Sequence, residues 1–178
     1  MPTTGPDDFR VRARRAYEWG RLRHALARGS PAVLLTAASS GICHEPGKSV
    51  AIGAVLLALA AGLHWYGRAA AQAASAGMNA GLAAFAVTVV AFHLYADPSH
   101  AEVLIINGST GLAVGLWLSV ASSRQAAHRD LFLLFATAVA TLCGMLACIV
   151  FGQIGLAGMV VGAFASSAPV AIYRRATA

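Results

Sequence analysis

The residues of this sequence best suited to chemistry are histidines and carboxylates near two short hydrophilic stretches. The four that could share a divalent cation are His44, His93, Asp97 and His100. Imidazole and carboxylate groups are ligands for Zn, Cu, Ni or Fe, and histidines near carboxylates also respond to pH between about 5 and 8. The pattern is compatible with metal binding or pH sensing. The alternative is a set of ordinary hydrophilic loop residues, with His93 as an anchor at the membrane interface.

Motifs of the common enzyme classes are missing from the sequence. It contains no GxSxG, no HExxH, no P-loop and no dinucleotide fingerprint, and its three cysteines form no CxxC pair. We therefore expect a protein that is not an enzyme. Apart from a divalent metal at the four residues above, no cofactor is indicated.

The elements that must position these residues are membrane-spanning helices. Hydrophobic residues make up 58% of the chain, charged residues only 11%, and the mean hydropathy is +0.66. Leu131 to Tyr173 contains no Asp, Glu, Lys or Arg, which is long enough to cross a hydrocarbon core of about 30 Å twice. The sequence predicts an all-α fold, a polytopic transmembrane helical bundle.

Six spans follow from the apolar runs, or five if the first segment does not cross or is cleaved as a signal sequence. A basic arm at residues 1–28 precedes them, and a tail at residues 174–178 follows. The predicted spans are residues 29–47, 50–66, 77–95, 103–121, 131–150 and 154–173.

The distribution of charge predicts how the bundle is oriented. With six spans, every Arg falls on one side of the membrane, and Lys48, Asp97 and Glu102 fall on the other. Because Lys and Arg accumulate on the cytoplasmic side, both termini are expected in the cytoplasm. The net charge of +6 is then topogenic, so direct nucleic-acid binding is not expected. The excess of Arg over Lys, with abundant Ala and Gly, suggests a bacterial inner-membrane protein.

Small residues at helical spacing predict where the spans approach one another, and one buried amide is expected among them. These contacts are expected within one bundle, the alternative being a homo-oligomer interface. Asn107 should face the interior, toward Thr88, Thr137 or Thr141. The predicted packing residues are Asn107, Gly111, Gly115, Gly144, Gly158 and Gly162.

The N-terminal arm has the pattern of a basic amphipathic helix. Such a helix would lie on the inner leaflet, attracted by anionic lipid, or would dock a cytoplasmic protein partner. The residues predicted to bind lipid or a partner are Arg10, Arg12, Arg14, Arg15, Arg21, Arg23, Tyr17 and Trp19.

A short basic arm, RARRAYEWGRLRHAL from Arg12 to Leu26, followed by six small spans resembles the membrane anti-sigma regulators of the negative-regulator-of-sigma-F type. The resemblance implies a regulatory or scaffolding protein whose arm holds a sigma factor at the membrane. Two alternatives stay open. One is a small transporter or channel subunit with a polar path through Asn107, and the other is exterior metal or pH sensing.

Overall fold

The computed structural model describes residues 6–42, 46–95, 99–123, 129–148, 157–158 and 160–162. The described chain is helical apart from short connections and contains no strand. Its five long helices are α1 (Pro6–Ile42), α2 (Pro46–Tyr66), α3 (Arg68–Leu94), α4 (His100–Ser122) and α5 (Arg129–Cys148).

Four of these helices are long and apolar enough to cross a membrane. They are Pro46–Tyr66, Arg68–Ala91, His100–Ser122 and Arg129–Ala147. The all-helical membrane class predicted from the sequence therefore agrees with the structure at this level. The sixth predicted span, 154–173, lies mostly outside the described residues.

The N-terminal arm and the first predicted span form one continuous helix. Helix α1 runs for 37 residues, about 55 Å, with Pro31 inside it, so the division predicted between residues 28 and 29 is not a helix end. Packing explains why Gly29 and Pro31 do not break it. A Cβ built on Gly29 would lie 2.9 Å from Leu57 Cδ1, and one built on Gly53 would overlap the Thr36 side chain, so this part of α1 is held against α2.

Two other helix ends differ from the bounds of the predicted spans. Pro46 and Gly47 begin α2 and do not end the first span, and α3 begins at Arg68, nine residues before the predicted start at Gly77. The segment after Arg68 is rich in Ala, the strongest helix former, and its Ala73 and Ala74 are fully buried. Helix propensity and burial thus extend α3 through a stretch whose hydropathy is modest.

A single residue connects α2 to α3. Gly67 has φ of 142°, a conformation that side-chain-bearing residues rarely adopt. Ser99 marks the start of α4 by a capping box: its Oγ accepts from Glu102 N, and its own backbone N–H donates to Glu102 Oε2 at 2.8 Å.

Contacts along the helices show their relative directions. Helix α1 is antiparallel to α2, since Arg21 meets Trp65 and Ser39 meets Ser49. Helices α3 and α5 are parallel and form the most extensive pair. Along them, Gly77 lies against Ala136 and Gly81 against Ala140.

Helix α4 is antiparallel to α3, with Asn107 beside Thr88 and Thr110 sharing a groove with Ala84. Residues 157–158 and 160–162 run parallel to α4, with Gly158 near Leu104 and Gly162 near Gly108. These directions are the ones that a chain crossing back and forth would have.

The directions bring arginines to one end of the bundle. Arg21 and Arg68 lie at the α2–α3 junction, and Arg129 begins α5 beside it. We call this the basic end. The ends of α1 and α3 and the starts of α2 and α4 lie at the opposite end, together with Lys48, His93 and His100.

Candidate functional site

The most prominent exposed element is the first part of α1, which extends past the end of α2. Arg21 is already level with Trp65, one residue before α2 ends, so residues 6–20 continue about 22 Å beyond it. Every side chain from residue 9 to residue 20 is exposed. We call residues 9–20 the projecting segment.

The projecting segment exposes both apolar and basic side chains. Phe9 is 75% exposed, Tyr17 66% and Trp19 62%. The arginines predicted to bind lipid or a partner are exposed as well: Arg10, Arg12, Arg14, Arg15, Arg21 and Arg23. Aromatic and Arg side chains together are the residue types enriched at the centres of protein interfaces.

Arg21, directly after the projecting segment, contacts the end of α2. Its Nη2 donates to the carbonyl oxygen of Trp65, and its guanidinium lies 4.8 Å from the centroid of the Trp65 ring. It also lies 5.9 Å from the Tyr17 ring centroid. A planar guanidinium can stack on indole while donating to a C-terminal helix carbonyl, so one residue makes both contacts. Sequence reasoning treated Arg21 as an exposed basic residue and missed this role.

An open groove of about 490 Å³ lies at the same junction. Its lining residues are Arg15, Glu18, Trp19, Leu22 and Trp65. Arg14 Nε donates to Glu18 Oε1 at 3.0 Å, an exposed i,i+4 pair that contributes little stability. The groove therefore contains the indole rings of Trp19 and Trp65 and the guanidinium group of Arg15. It also contains the carboxylate of Glu18, whose charge Arg14 partly neutralises.

The predicted interior amide lies in the bundle core. Asn107 is 1% exposed, its Nδ2 donates to Val103 O at 2.9 Å, and its Oδ1 lies 3.4 Å from Thr88 Oγ1, whose hydroxyl proton is shared with Ala84 O at 2.9 Å. The contact between Thr88 and Asn107 joins α3 to α4. It is the geometry of an interhelical polar contact in an apolar bundle.

The predicted glycines lie in helix contacts or in buried positions. Gly111, Gly115 and Gly144 are buried. A Cβ on Gly158 would lie 3.1 Å from Leu104 O, and one on Gly162 would overlap the backbone of α4.

A second polar contact was not anticipated from the sequence. Ser39 Oγ donates to Leu146 O at 2.8 Å and lies 3.0 Å from Ser49 Oγ, so one hydroxyl links α1, α2 and α5. Ser39 and Ser49 are both fully buried. Serines in otherwise apolar runs are the signal that could have suggested it, since hydroxyls in hydrocarbon seek partners on other helices.

The candidate metal ligands fall partly outside the described chain. His44 and Asp97 lie outside the described residues. His93 and His100 lie at the opposite end, both exposed, and His93 Nδ1 lies 2.9 Å from Val89 O in its own helix. Among the residues that the structure describes, no three His, Cys, Asp or Glu side chains form a group that could hold a metal ion.

Comparisons with known proteins found no relative, since no family model, no curated protein and no solved structure matches the chain.

Proposed function

We propose that this chain is a non-enzymatic, six-span protein of the bacterial inner membrane that tethers a cytoplasmic protein through its projecting segment. The supporting observation is the continuity of α1 from the bundle into that segment. A helix that continues along the bundle axis carries its exposed aromatic and Arg residues away from the bilayer. Seating on the lipid surface would instead require a bend near Arg21, where the contacts with Trp65 hold the helix.

The topology rests on the pairing of α1 with α2. Because α1 follows α2 from Trp65 to Ser49, a crossing by α2 supports a crossing by the paired part of α1, and Arg28 there would reach the interface by extending its side chain. The directions of α4 and of residues 157–158 and 160–162 support further crossings of alternating direction. The basic end then faces the cytoplasm, as the Lys/Arg bias requires.

The resemblance to anti-sigma regulators suggests what the partner is. A sigma factor held by the projecting segment would be kept from the transcription machinery until released. In chemical terms, the segment suits a protein surface with carboxylates for its guanidinium groups and apolar pockets for Phe9, Tyr17 and Trp19.

Two full-length variants distinguish protein docking from lipid attraction. In one, Arg10, Arg12 and Arg15 are replaced by Gln, and in the other the same three are replaced by Lys. Lys keeps the charge that attracts anionic lipid but loses the planar fork that binds carboxylates in a bidentate manner. We expect both variants to insert normally and both to lose most of the partner recovered with the wild-type protein from native membranes.

A second measurement reports where the segment lies. The difference in fluorescence between the wild type and Trp19→Phe reports Trp19 with Trp65 in place, and brominated phospholipids should leave that difference unquenched. Strong quenching would contradict docking and support seating on the lipid surface, and partner recovery that the Gln variant retains in full would show that these arginines do not hold the partner.

A further inference from the structure

A groove at the basic end, separate from the projecting segment, lies between α2, α3 and α5. Its volume is about 610 Å³, within the range of small-molecule sites. Leu59, Gly62 and Phe135 contribute to an apolar floor, while Tyr66 and Leu131 at its edge are 87% and 53% exposed. An apolar groove that opens at the side of a membrane bundle faces acyl chains.

The charge at the mouth of this groove is uncompensated. The exposed Arg68 lines it, and none of the described residues forms an ion pair or a hydrogen bond with the Arg68 side chain. On the first turn of α5, the formal charges of Arg129 and Asp130 sum to zero, and Arg129 Nε donates to Ser122 Oγ at 3.4 Å. Within the part of the chain that the structure describes, Arg68 therefore remains as the net positive group beside the groove.

We propose that this groove binds an anionic phospholipid, with the phosphate on Arg68 and an acyl chain along Leu59, Gly62 and Phe135. The two parts of the groove match the two parts of such a molecule, a negative headgroup at the end of the bundle and hydrocarbon along its side. Trp65 and Tyr66 mark the level at which headgroups meet hydrocarbon, and Arg68 follows them after Gly67. Basic pockets between helices on the cytoplasmic side of a membrane are suited to such lipids.

Two substitutions separate the headgroup contact from the acyl contact. Arg68→Gln removes the charge at an exposed position. Gly62→Leu fills the groove, and it should not disturb folding, because a Cβ built on Gly62 meets no atom within 4 Å. The matched controls are Arg12→Gln in the projecting segment and Gly41→Leu at the opposite end, where a Cβ also meets nothing within 4 Å.

Full-length protein in detergent is titrated with phosphatidylglycerol and, separately, with phosphatidylcholine, and retained lipid is counted by native mass spectrometry. We expect the wild type to prefer phosphatidylglycerol. Arg68→Gln should weaken retention of phosphatidylglycerol about fivefold and leave phosphatidylcholine unchanged, the effect of one basic group near an anionic surface. Gly62→Leu should weaken retention of both lipids, and neither control should change either.

Equal retention of both lipids by wild type, or unchanged retention in Arg68→Gln and Gly62→Leu, would overturn the proposal. Displacement of the bound species by millimolar inorganic phosphate would also overturn it, because an acyl chain is held by the groove and free phosphate is not. The groove contains no residue of α1, so this result is independent of the tethering experiment.

Discussion

Buried polar side chains join the helices at points where small apolar residues surround them. Thr88 and Asn107 connect α3 with α4, and Ser39 connects α1, α2 and α5. In lipid there is little hydrophobic drive between helices, so such bonds and close packing hold the bundle. A polar path for transport would require these groups to bind the transported molecule. The carboxamide of Asn107 instead contacts Val103 and Thr88 of its own bundle.

The contact between Thr88 and Asn107 should be measurable as a coupling energy. A double-mutant cycle with Thr88→Val and Asn107→Leu should show a coupling of about 0.6 kcal/mol, the average for interhelical hydrogen bonds in a membrane protein. Unfolding by sodium dodecyl sulfate in mixed micelles supplies the four free energies. Additive single effects, with no coupling, would mean that the bond does not contribute to stability.

At the scale of elements, glycines determine which helices approach most closely. Helices α3 and α5 meet at Gly77 and Gly81, where a Cβ would overlap Ala136 O and Cys143 Cβ respectively. The GxxxG spacing places both glycines on one face of α3. The same spacing in a sequence predicts a contact face, but it does not identify the partner helix.

We expect Gly77→Ala and Gly81→Ala each to lower the free energy of unfolding by about 1–3 kcal/mol, because the added methyl groups meet the backbone or Cβ of α5. Gly41→Ala is the matched control. A Cβ there meets nothing within 4 Å, so the higher helix propensity of Ala should raise stability by up to about 1 kcal/mol.

Both effects are read from the same detergent unfolding titration. Similar small changes at all three positions would show that α3 and α5 are not in close contact at these glycines.

At the scale of the whole molecule, alternating helix directions collect arginines at one end and histidines of the short connections at the other. Because α1 is antiparallel to α2 and paired with it, the membrane orientation of α2 determines that of α1. If α2 crosses the membrane, Gly20 and Gly47 lie on opposite sides.

Cysteine labelling tests this arrangement. In a chain whose native cysteines are replaced, Gly20→Cys and Ser123→Cys should react with a membrane-impermeant maleimide only in inverted vesicles. Gly47→Cys should react only in right-side-out vesicles, because it begins α2 at the opposite end. Labelling of Gly20→Cys and Gly47→Cys from the same side would mean that α1 does not cross.

Hydropathy predicted the helical membrane class and, within a few residues, the helices α4 and α5. It failed at the start of α3, because Gln72 and Arg68 lower the local hydropathy of a segment that Ala favours as helix. It also placed a helix boundary near Gly29, because polar and apolar halves of α1 look like separate elements. Asn107 lies beside Thr88, one of the three threonines that the sequence offered as partners, whereas no local pattern could supply the contact of Arg21 with Trp65.

The sequence by itself determined that this chain is a helical membrane protein. The length and hydropathy of a segment and the spacing of its charges are local properties, and they decide whether the segment is stable in a bilayer. Only the tertiary structure decided that α1 is one continuous helix in contact with Trp65, that Ser39 joins three helices, and that Arg68 lies beside an apolar groove. Those features depend on which helix faces lie together, and that choice follows from the packing of small residues far apart in the chain.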